Sequence, residues 1–198
     1  MKDFIEYIKQ RRSIYKISDQ IPINEKNLYD IIENSLKYTP SSFNSQSSRI
    51  VLLQGKEHKK LWDIVIKNIR PLTDKENILG VEEKISNFSN GYGTILFYED
   101  QNTIQNLQKK YEKYNKEFPN WSMQTTGILQ FIIWTALYDL NIGASIQHYN
   151  PIIDNDVEKT WSISPKWKLT AQMPFGTIIG QTNEKSFLPI KSRIKYIK

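Results

Sequence analysis

The chain has 198 residues, of which 39% are hydrophobic and 24% charged, which gives a folded protein with one sizeable core rather than a disordered chain. It has no cysteine and only two histidines, so disulfides, thiolate metal ligands and a cysteine nucleophile are excluded and no metal site is expected. The net charge of +6 favours an anionic ligand. Because the basic residues are spread along the chain without an unmixed basic block, nucleic acid is not an expected partner.

Two stretches bear on localisation. The N-terminal segment carries an acidic residue early and lacks the apolar core of a signal peptide. The most apolar run, 128–140, contains Gln130 and Asp139 and is too short to span a bilayer. We therefore expect a cytoplasmic protein that makes no contact with a membrane.

Hydrophobic periodicity predicts helices that alternate with strands. Helices are expected near 4–12, from Asn24 to about 38, over 61–69, over 103–116 and, apolar almost all round, over 128–140. Strands are expected over 49–54, 93–98 and 169–175. Phe118-Pro119 is expected to interrupt the charged helix before it, and His58, beside two lysines, to lie at the surface. The interleaving predicts one α+β or α/β domain over 1–198, with a polar, basic tail from about 181 to 198.

Two arginines and a serine, Arg11, Arg12 and Ser13, follow the first predicted helix. Two guanidinium groups and a hydroxyl can bind a doubly charged phosphate. The same side chains could instead be solvated cations at a helix C-terminus, where the helix dipole favours them. The cluster by itself leaves both interpretations open.

Uncharged amides and hydroxyls fill the segment 41–46, Ser-Ser-Phe-Asn-Ser-Gln, which we call the amide loop. Asn and Gln amides can match the alternating acceptors and donor on the pyrimidine edge of a flavin without adding charge. Because Asn and Ser are also common turn formers, the loop could be a connector anchored by Phe43. A ligand that needs both the amide loop and the cation cluster is a phosphorylated flavin.

A third polar segment follows the predicted buried helix. Small residues at 143–145 permit close backbone approach to a ligand, and Gln147 and His148 come next. A lone histidine is more often structural than catalytic. Gly91-Tyr92-Gly93 precedes a strand instead of following one, so it is not a dinucleotide-binding motif.

Short motifs in order along the chain carry a family resemblance. They are Arg-Arg-Ser-Ile-Tyr at 11–15, Ser-Phe-Asn-Ser-Gln at 42–46, Lys60-Leu61-Trp62-Asp63, Phe118-Pro119 with Trp121, Trp134-Thr135-Ala136-Leu137, Gln147-His148-Tyr149-Asn150-Pro151, and Phe175-Gly176 with Glu184-Lys185 beyond it. As an ordered set they resemble the nitroreductase superfamily, and more narrowly its fatty-acid-repression-mutant branch of small FMN oxidoreductases. The resemblance covers nearly the whole chain.

The resemblance implies a three-layer α/β/α sandwich around a mainly antiparallel sheet, in an intertwined homodimer with two FMN sites at the subunit interface. It also implies roles for individual residues. These are Arg11, Arg12 and Ser13 for the FMN phosphate and ribityl, with Lys185 and Arg193 from the tail completing the anion site; Asn44, Ser45 and Gln46 for the isoalloxazine; Gln147 and His148 for the reactive edge at N5; and Tyr15, in the register where better-known nitroreductases have a lysine near N1/O2.

The function that the resemblance implies is an FMN-dependent NAD(P)H oxidoreductase. It would reduce nitroaromatics, quinones or similar flat small-molecule acceptors by ping-pong hydride transfer, with NADH or NADPH as co-substrate. No catalytic side chain is expected, because the chemistry takes place at flavin N5. The same residues would equally serve a non-catalytic flavin-binding regulatory or storage protein, and the sequence does not separate the two.

Overall fold

The computed structural model describes residues 4–182 and 184–198, so the first three residues of the N-terminal segment lie outside the description. Its helices are α1 (Phe4–Gln10), α2 (Glu25–Tyr38), α3 (Gly55–Ile69), α4 (Ile78–Ser89), α5 (Gln101–Lys110), α6 (Phe118–Asp139) and α7 (Asp154–Trp161). Its strands are β1 (Ile17–Ser18), β2 (Ser48–Gln54), β3 (Gly93–Asp100), β4 (Ile142–Ala144) and β5 (Trp167–Ile178). Short 3-10 turns lie at Ser42–Asn44, Arg70–Leu72, Glu112–Tyr114 and Ile190–Ser192. Helices and strands interleave along the chain, as predicted.

The strands form one sheet in which the strand pairs are antiparallel. The order is β1-β5-β3-β2, and β4 also pairs with β5. In the centre, Ile95 of β3 lies opposite Leu52 of β2 and Met173 of β5. The whole of β3 is buried, which is why its sequence reads as a continuous apolar run and not as an alternation of apolar and polar residues.

Helices cover both faces of this sheet. On one face, Ile95 and Phe97 of β3 pack with residues of α2 and α6, such as Leu28 and Ile133. On the other face, Leu96 packs with residues of α3, α4 and α7. Successive residues of one strand thus enter two different cores, as the alternation of side chains along a strand requires. The predicted α+β sandwich of three layers around an antiparallel sheet is confirmed, whereas the intertwined homodimer stays a prediction.

The predicted start of α2 is confirmed by its cap. The side-chain oxygen of Asn24 accepts a hydrogen bond from the backbone N–H of Asn27 at 2.9 Å. This bond satisfies one of the donors that a helix N-terminus leaves without an intrahelical partner.

The prediction for 103–140 was wrong in its boundaries. The charged helix α5 ends at Lys110, and Phe118-Pro119 begins α6 instead of interrupting a helix. Proline suits the first turn of a helix because no N–H is needed there. The first ten residues of α6 contain several hydroxyls that hide its periodicity; Ser122 and Thr125 are nevertheless buried and hydrogen-bonded.

His58 is buried, contrary to the prediction that it lies at the surface. Helix α3 begins directly after β2, at Gly55, whose positive φ of 55° glycine adopts without strain. The helical period then places His58 on the same face as Trp62 and Val65, which are also buried. The charge of the residues beside His58 in sequence therefore says nothing about the direction of its own side chain.

Four elements were not predicted from the sequence: the helices α4 and α7 and the short strands β1 and β4. The two strands have two and three residues, and each is a strand only because it pairs with the C-terminal part of β5. Such pairing leaves no periodic signal in the local sequence.

In residues 4–182 and 184–198, no helix combines the length and the apolar character needed to cross a membrane.

Candidate functional site

The Arg11–Ser13 segment lies beside β4, although 128 residues, 14–141, separate the two in sequence. Ser13 forms a parallel bridge with Ala144, and the N–H of Ile14 donates to the Ala144 carbonyl at 3.0 Å. The fold therefore joins the predicted cation cluster to the small-residue segment after α6.

A cavity of about 500 Å³ opens beside this segment, within the size range of small-ligand sites. It is lined by Arg11, Arg12, Ser13, Ile14, Tyr15 and Lys16 on one side and by Gly180, Gln181, Thr182 and Lys185 on the other. Four of these residues are cations and none is acidic, so we call this space the cationic cavity. Its lining selects an anionic ligand.

The Arg11 side chain in this wall is partly buried and short of hydrogen-bond acceptors. Its Nε and Nη1 atoms are buried and have no hydrogen-bond partner in the described part of the chain. Burial, and then the neighbouring charge of Arg12, lowers the pKa of Arg11 from its usual value, but a guanidinium stays charged in proteins. Buried N–H groups without acceptors are costly, so this arrangement fits a ligand that brings anionic oxygens, such as a phosphate.

The amide loop has an unusual backbone that its own contacts hold in place. Phe43, Asn44 and Gln46 have left-handed φ values of 56°, 49° and 47°. Asparagine tolerates this region, but phenylalanine rarely adopts it. The Phe43 ring packs at 4.7 Å from the ring of Tyr111, and the N–H of Gln46 donates to Ser41 Oγ at 3.1 Å. These contacts therefore hold the amide loop in one defined conformation.

A buried carboxylate anchors the end of this loop. Glu99 Oε2 accepts hydrogen bonds from Ser47 Oγ at 2.6 Å and Ser122 Oγ at 2.8 Å, and Glu99 Oε1 accepts one from Ser48 Oγ at 2.6 Å. Ser45 Oγ lies 3.4 Å from Ser47 Oγ. Glu99 therefore links the amide loop to β3 and α6. This role of Glu99 was not predicted from the sequence, because the residues of the cluster come from three separate segments.

Within one chain the amide loop and the cation cluster do not share a cavity. None of Asn44, Ser45 and Gln46 is among the residues that line the cationic cavity. Gln46 instead lines a separate space of about 360 Å³ together with residues such as Lys37 and Arg49. The single chain therefore does not bring the two parts of the predicted flavin site into one cavity.

Gln147 and His148 also lie outside the lining of the cationic cavity. The N–H of Gln147 donates to the Gln172 carbonyl at 2.7 Å, so this N–H is already engaged within the chain. His148 is exposed, and its Nδ1 donates to the Thr170 carbonyl at 3.0 Å, which leaves Nε2 for a ligand.

Of the two tail residues that were predicted to complete the anion site, one lines the cationic cavity and the other does not. Lys185 lines it, whereas Arg193 ends the exposed 3-10 turn Ile190–Ser192 and does not. Tyr15 and Lys16 do line it. Lys16 was not predicted as a site residue, although it is a third cation in the run 11–16.

Comparison with known proteins places this geometry in a family. The model of the Nitroreductase family matches residues 8–177. In Saccharomyces cerevisiae, the protein described as "Putative nitroreductase HBN1" is 30% identical over 187 residues, covering 93% of each chain. The nitroreductase FRM2 of the same organism is 29% identical over 188 residues, covering 94% of this chain and 93% of the relative.

Solved structures agree with this placement. Nitroreductase CinD from Lactococcus lactis, in complex with chloramphenicol, has a TM-score of 0.90 and 36% identity, covering 99% of this chain and 100% of that chain. CinD has also been solved with 4-nitrophenol. An FMN complex from Desulfovibrio desulfuricans shares the fold, with a TM-score of 0.73 and 16% identity over 100% of this chain and 99% of that chain. The predicted superfamily, its branch and the enzyme class are confirmed: the chain belongs to the nitroreductase family, in the branch of FRM2 and HBN1, and is an oxidoreductase.

Proposed function

We propose that this chain binds FMN in the cationic cavity and uses it to reduce flat aromatic acceptors with NADH or NADPH. The observation that carries the proposal is the Arg11 side chain, whose buried Nε and Nη1 lack acceptors at the wall of a cavity lined by four cations and no acid. The FMN complex with the same fold and the CinD complex with 4-nitrophenol, a nitroaromatic, support it.

The residues of the chain would bind and orient the cofactor. Arg11, Arg12 and Lys185 would hold the phosphate, and the hydroxyl of Ser13 would contact the ribityl chain. Because NADH and NADPH are also anions, the same cations would attract the co-substrate. When bound, FMN would supply the redox chemistry for hydride transfer from the nicotinamide to the acceptor in a ping-pong cycle.

We further propose that the site is completed by a second copy of this chain. The amide loop lies outside the cationic cavity of its own chain, so Asn44, Ser45 and Gln46 would come from the partner. The tail supports this proposal, because its large apolar side chains are exposed, such as Phe187 at 75% and Tyr196 at 81%. A run of such side chains is typical of a surface that another chain covers.

The test is the visible spectrum of the purified protein, followed by heat release and quantification of the flavin. We expect a yellow protein with about one FMN per chain and, after removal of the flavin, an apoprotein that rebinds FMN. A colourless protein that does not bind added FMN would contradict the proposal.

Turnover is tested separately. Steady-state oxidation of NADH and of NADPH is measured with menadione and with 4-nitrophenol as acceptors. For at least one combination of co-substrate and acceptor, we expect the protein to give a higher rate than the same concentration of free FMN. A rate no higher than that of free FMN for every pair would remove the catalytic part and leave a flavin-binding protein.

A further inference from the structure

The guanidinium of Arg11 lies over the ring of an aromatic side chain of α6. Its Cζ is 3.8 Å from the centroid of the Trp134 ring and 5.8 Å from that of Phe131, which lies one turn earlier on the helix. Both distances fall within the range in which a cation is attracted to a ring face. Trp134 makes the closer contact.

The position of the Trp134 ring is itself fixed. Its Nε1 donates to the Ala144 carbonyl at 3.0 Å, and the same carbonyl accepts from the N–H of Ile14 at 3.0 Å. Ser13 forms its bridge with the same residue. The indole and the segment that carries the cation cluster are therefore held by one anchor, Ala144.

Nothing else in the described part of the chain holds the Arg11 head group. No carboxylate there forms an ion pair with it, and its Nε and Nη1 have no acceptor. The neighbouring charge of Arg12 repels it. An arginine with no other contact would lose rotamer freedom on binding an anion, and a fixed head group avoids that loss.

We propose that Trp134 is a positioning residue for the phosphate of the bound flavin, acting through Arg11. The indole face orients the Arg11 guanidinium at the wall of the cationic cavity before the ligand arrives. This inference rests on the proposed binding of FMN. Because Trp134 acts on the group that meets the phosphate, its contribution belongs to FMN and is absent for riboflavin, which has no phosphate.

The experiment compares the dissociation constants of FMN and riboflavin, measured by flavin fluorescence on apoprotein. Trp134→Leu removes the aromatic face, and Trp134→Phe keeps one. We expect Trp134→Leu to raise the FMN dissociation constant about tenfold, the scale of a partly desolvated cation–ring contact, and to leave riboflavin within about twofold. Trp134→Phe should stay within about threefold of the wild type for FMN, because a phenyl ring retains much of the attraction.

Trp161→Leu is the matched control. This tryptophan also has a cation near its ring, Lys60 at 6.0 Å, and also donates its Nε1, to Glu57 at 2.8 Å, but it lies on α7 and does not line the cationic cavity. We expect its FMN affinity to be unchanged.

A double-mutant cycle with Arg11→Ala tests whether Trp134 acts on FMN binding through Arg11. In the Arg11→Ala background, Trp134→Leu should cause no further loss of FMN affinity, and fully additive losses would overturn the proposal. Equal losses for FMN and riboflavin would overturn it as well, because they indicate general damage. If Trp134→Leu does not fold, the NMR chemical shift of the Arg11 Nε–H in the wild-type protein provides the test. An upfield ring-current shift would support the contact with Trp134, and the absence of such a shift would refute it.

The two proposals fail differently. A wild-type protein that does not bind FMN refutes the proposed function, and the positioning role with it. A wild-type protein that binds FMN while Trp134→Leu binds it equally well refutes only the positioning role.

Discussion

Arg12 lies next to Arg11 in the lining of the cationic cavity and offers a planar pair of donors to an anion. We predict that Arg12→Ala weakens FMN binding by about 1.5–3 kcal/mol, the contribution of one hydrogen bond to a charged group. Titration of apoprotein with FMN measures this difference. Arg70→Ala removes a surface arginine that pairs with Glu82 at 2.6 Å and serves as the control, with no expected change. Identical dissociation constants for Arg12→Ala and wild type would remove Arg12 from the site.

His58 makes stability depend on pH in a definite direction. Burial lowers its pKa from the usual 6.5 to about 4. Its Nδ1 lies 2.8 Å from Thr94 Oγ1, and Trp62 Nε1 donates a hydrogen bond to the same hydroxyl at 3.1 Å. Above pH 6.5 neither the folded nor the unfolded state protonates this histidine, so it makes no pH-dependent contribution. Between pH 6.5 and 4 only the unfolded chain takes up the proton, so the free energy of unfolding falls as the pH is lowered.

The expected loss at pH 4 is about 3 kcal/mol, from a shift of roughly two and a half pKa units. The free energy of unfolding is measured by urea denaturation from pH 7.5 to pH 4 for the wild type and for His58→Gln. The variant is needed because carboxylates that titrate in this range change the stability of both proteins, so only the difference between them reports on His58. The wild type should lose stability relative to the variant as the pH falls. Parallel curves would show that His58 is not buried in its neutral form.

At the scale of elements, Glu99 joins three segments that are distant in sequence. Its carboxylate is buried and takes hydroxyl donors from the end of the amide loop, from β2 and from α6. We predict that Ser122→Ala lowers the free energy of unfolding by about 1.5–3 kcal/mol, because it leaves part of a buried charge without its donor. Chemical denaturation measures this. Ser86→Ala, at an exposed position within α4, corrects for the helix propensity of alanine and should not destabilise.

Sequence reasoning succeeded where the signal was local. The apolar run of β3 and the cap of α2 each lie within one short stretch. The contact of Arg11 with Trp134 and the hydroxyls around Glu99 are different, because hydrophobic periodicity does not encode which distant polar groups meet. Phe118-Pro119 shows a third case, in which the correct local signal, a helix boundary, was read as an end instead of a start.

At the scale of the whole molecule, one chain lines both sides of the cationic cavity with cations and displays its amides elsewhere. The cationic cavity is bounded by the segment after α1 and by the segment that follows β5. These two segments are close together because β1 pairs with the end of β5, where Ile17 lies opposite Ile178. The amide loop lies between α2 and β2. In the proposed dimer a second copy would supply an amide loop to each cationic cavity, and the exposed apolar side chains of the tail would lie in the interface.

The tail therefore gives the sharpest test of assembly. We predict that replacing both Phe187 and Leu188 with Ser raises the dissociation constant of the dimer by about four orders of magnitude, since the dimer would bury both side chains of each copy and each burial contributes about 1.5 kcal/mol. Both side chains are exposed in the single chain, at 75% and 72%, so the substitution should not destabilise the folded monomer. Leu79→Ser, at a position 76% exposed on α4, is the control and should leave the dimer intact.

Sedimentation equilibrium of the full chain measures these constants, with FMN affinity determined on the same samples. Because Lys185 lines the cationic cavity two residues before Phe187, the loss of the dimer should lower FMN affinity in step with the fraction of monomer. A wild-type chain that is monomeric yet binds FMN tightly would contradict the two-chain site. A dimer that survives the loss of both apolar side chains would instead move the interface away from the tail, and the amide loop of the partner would then have to reach the cavity by another surface.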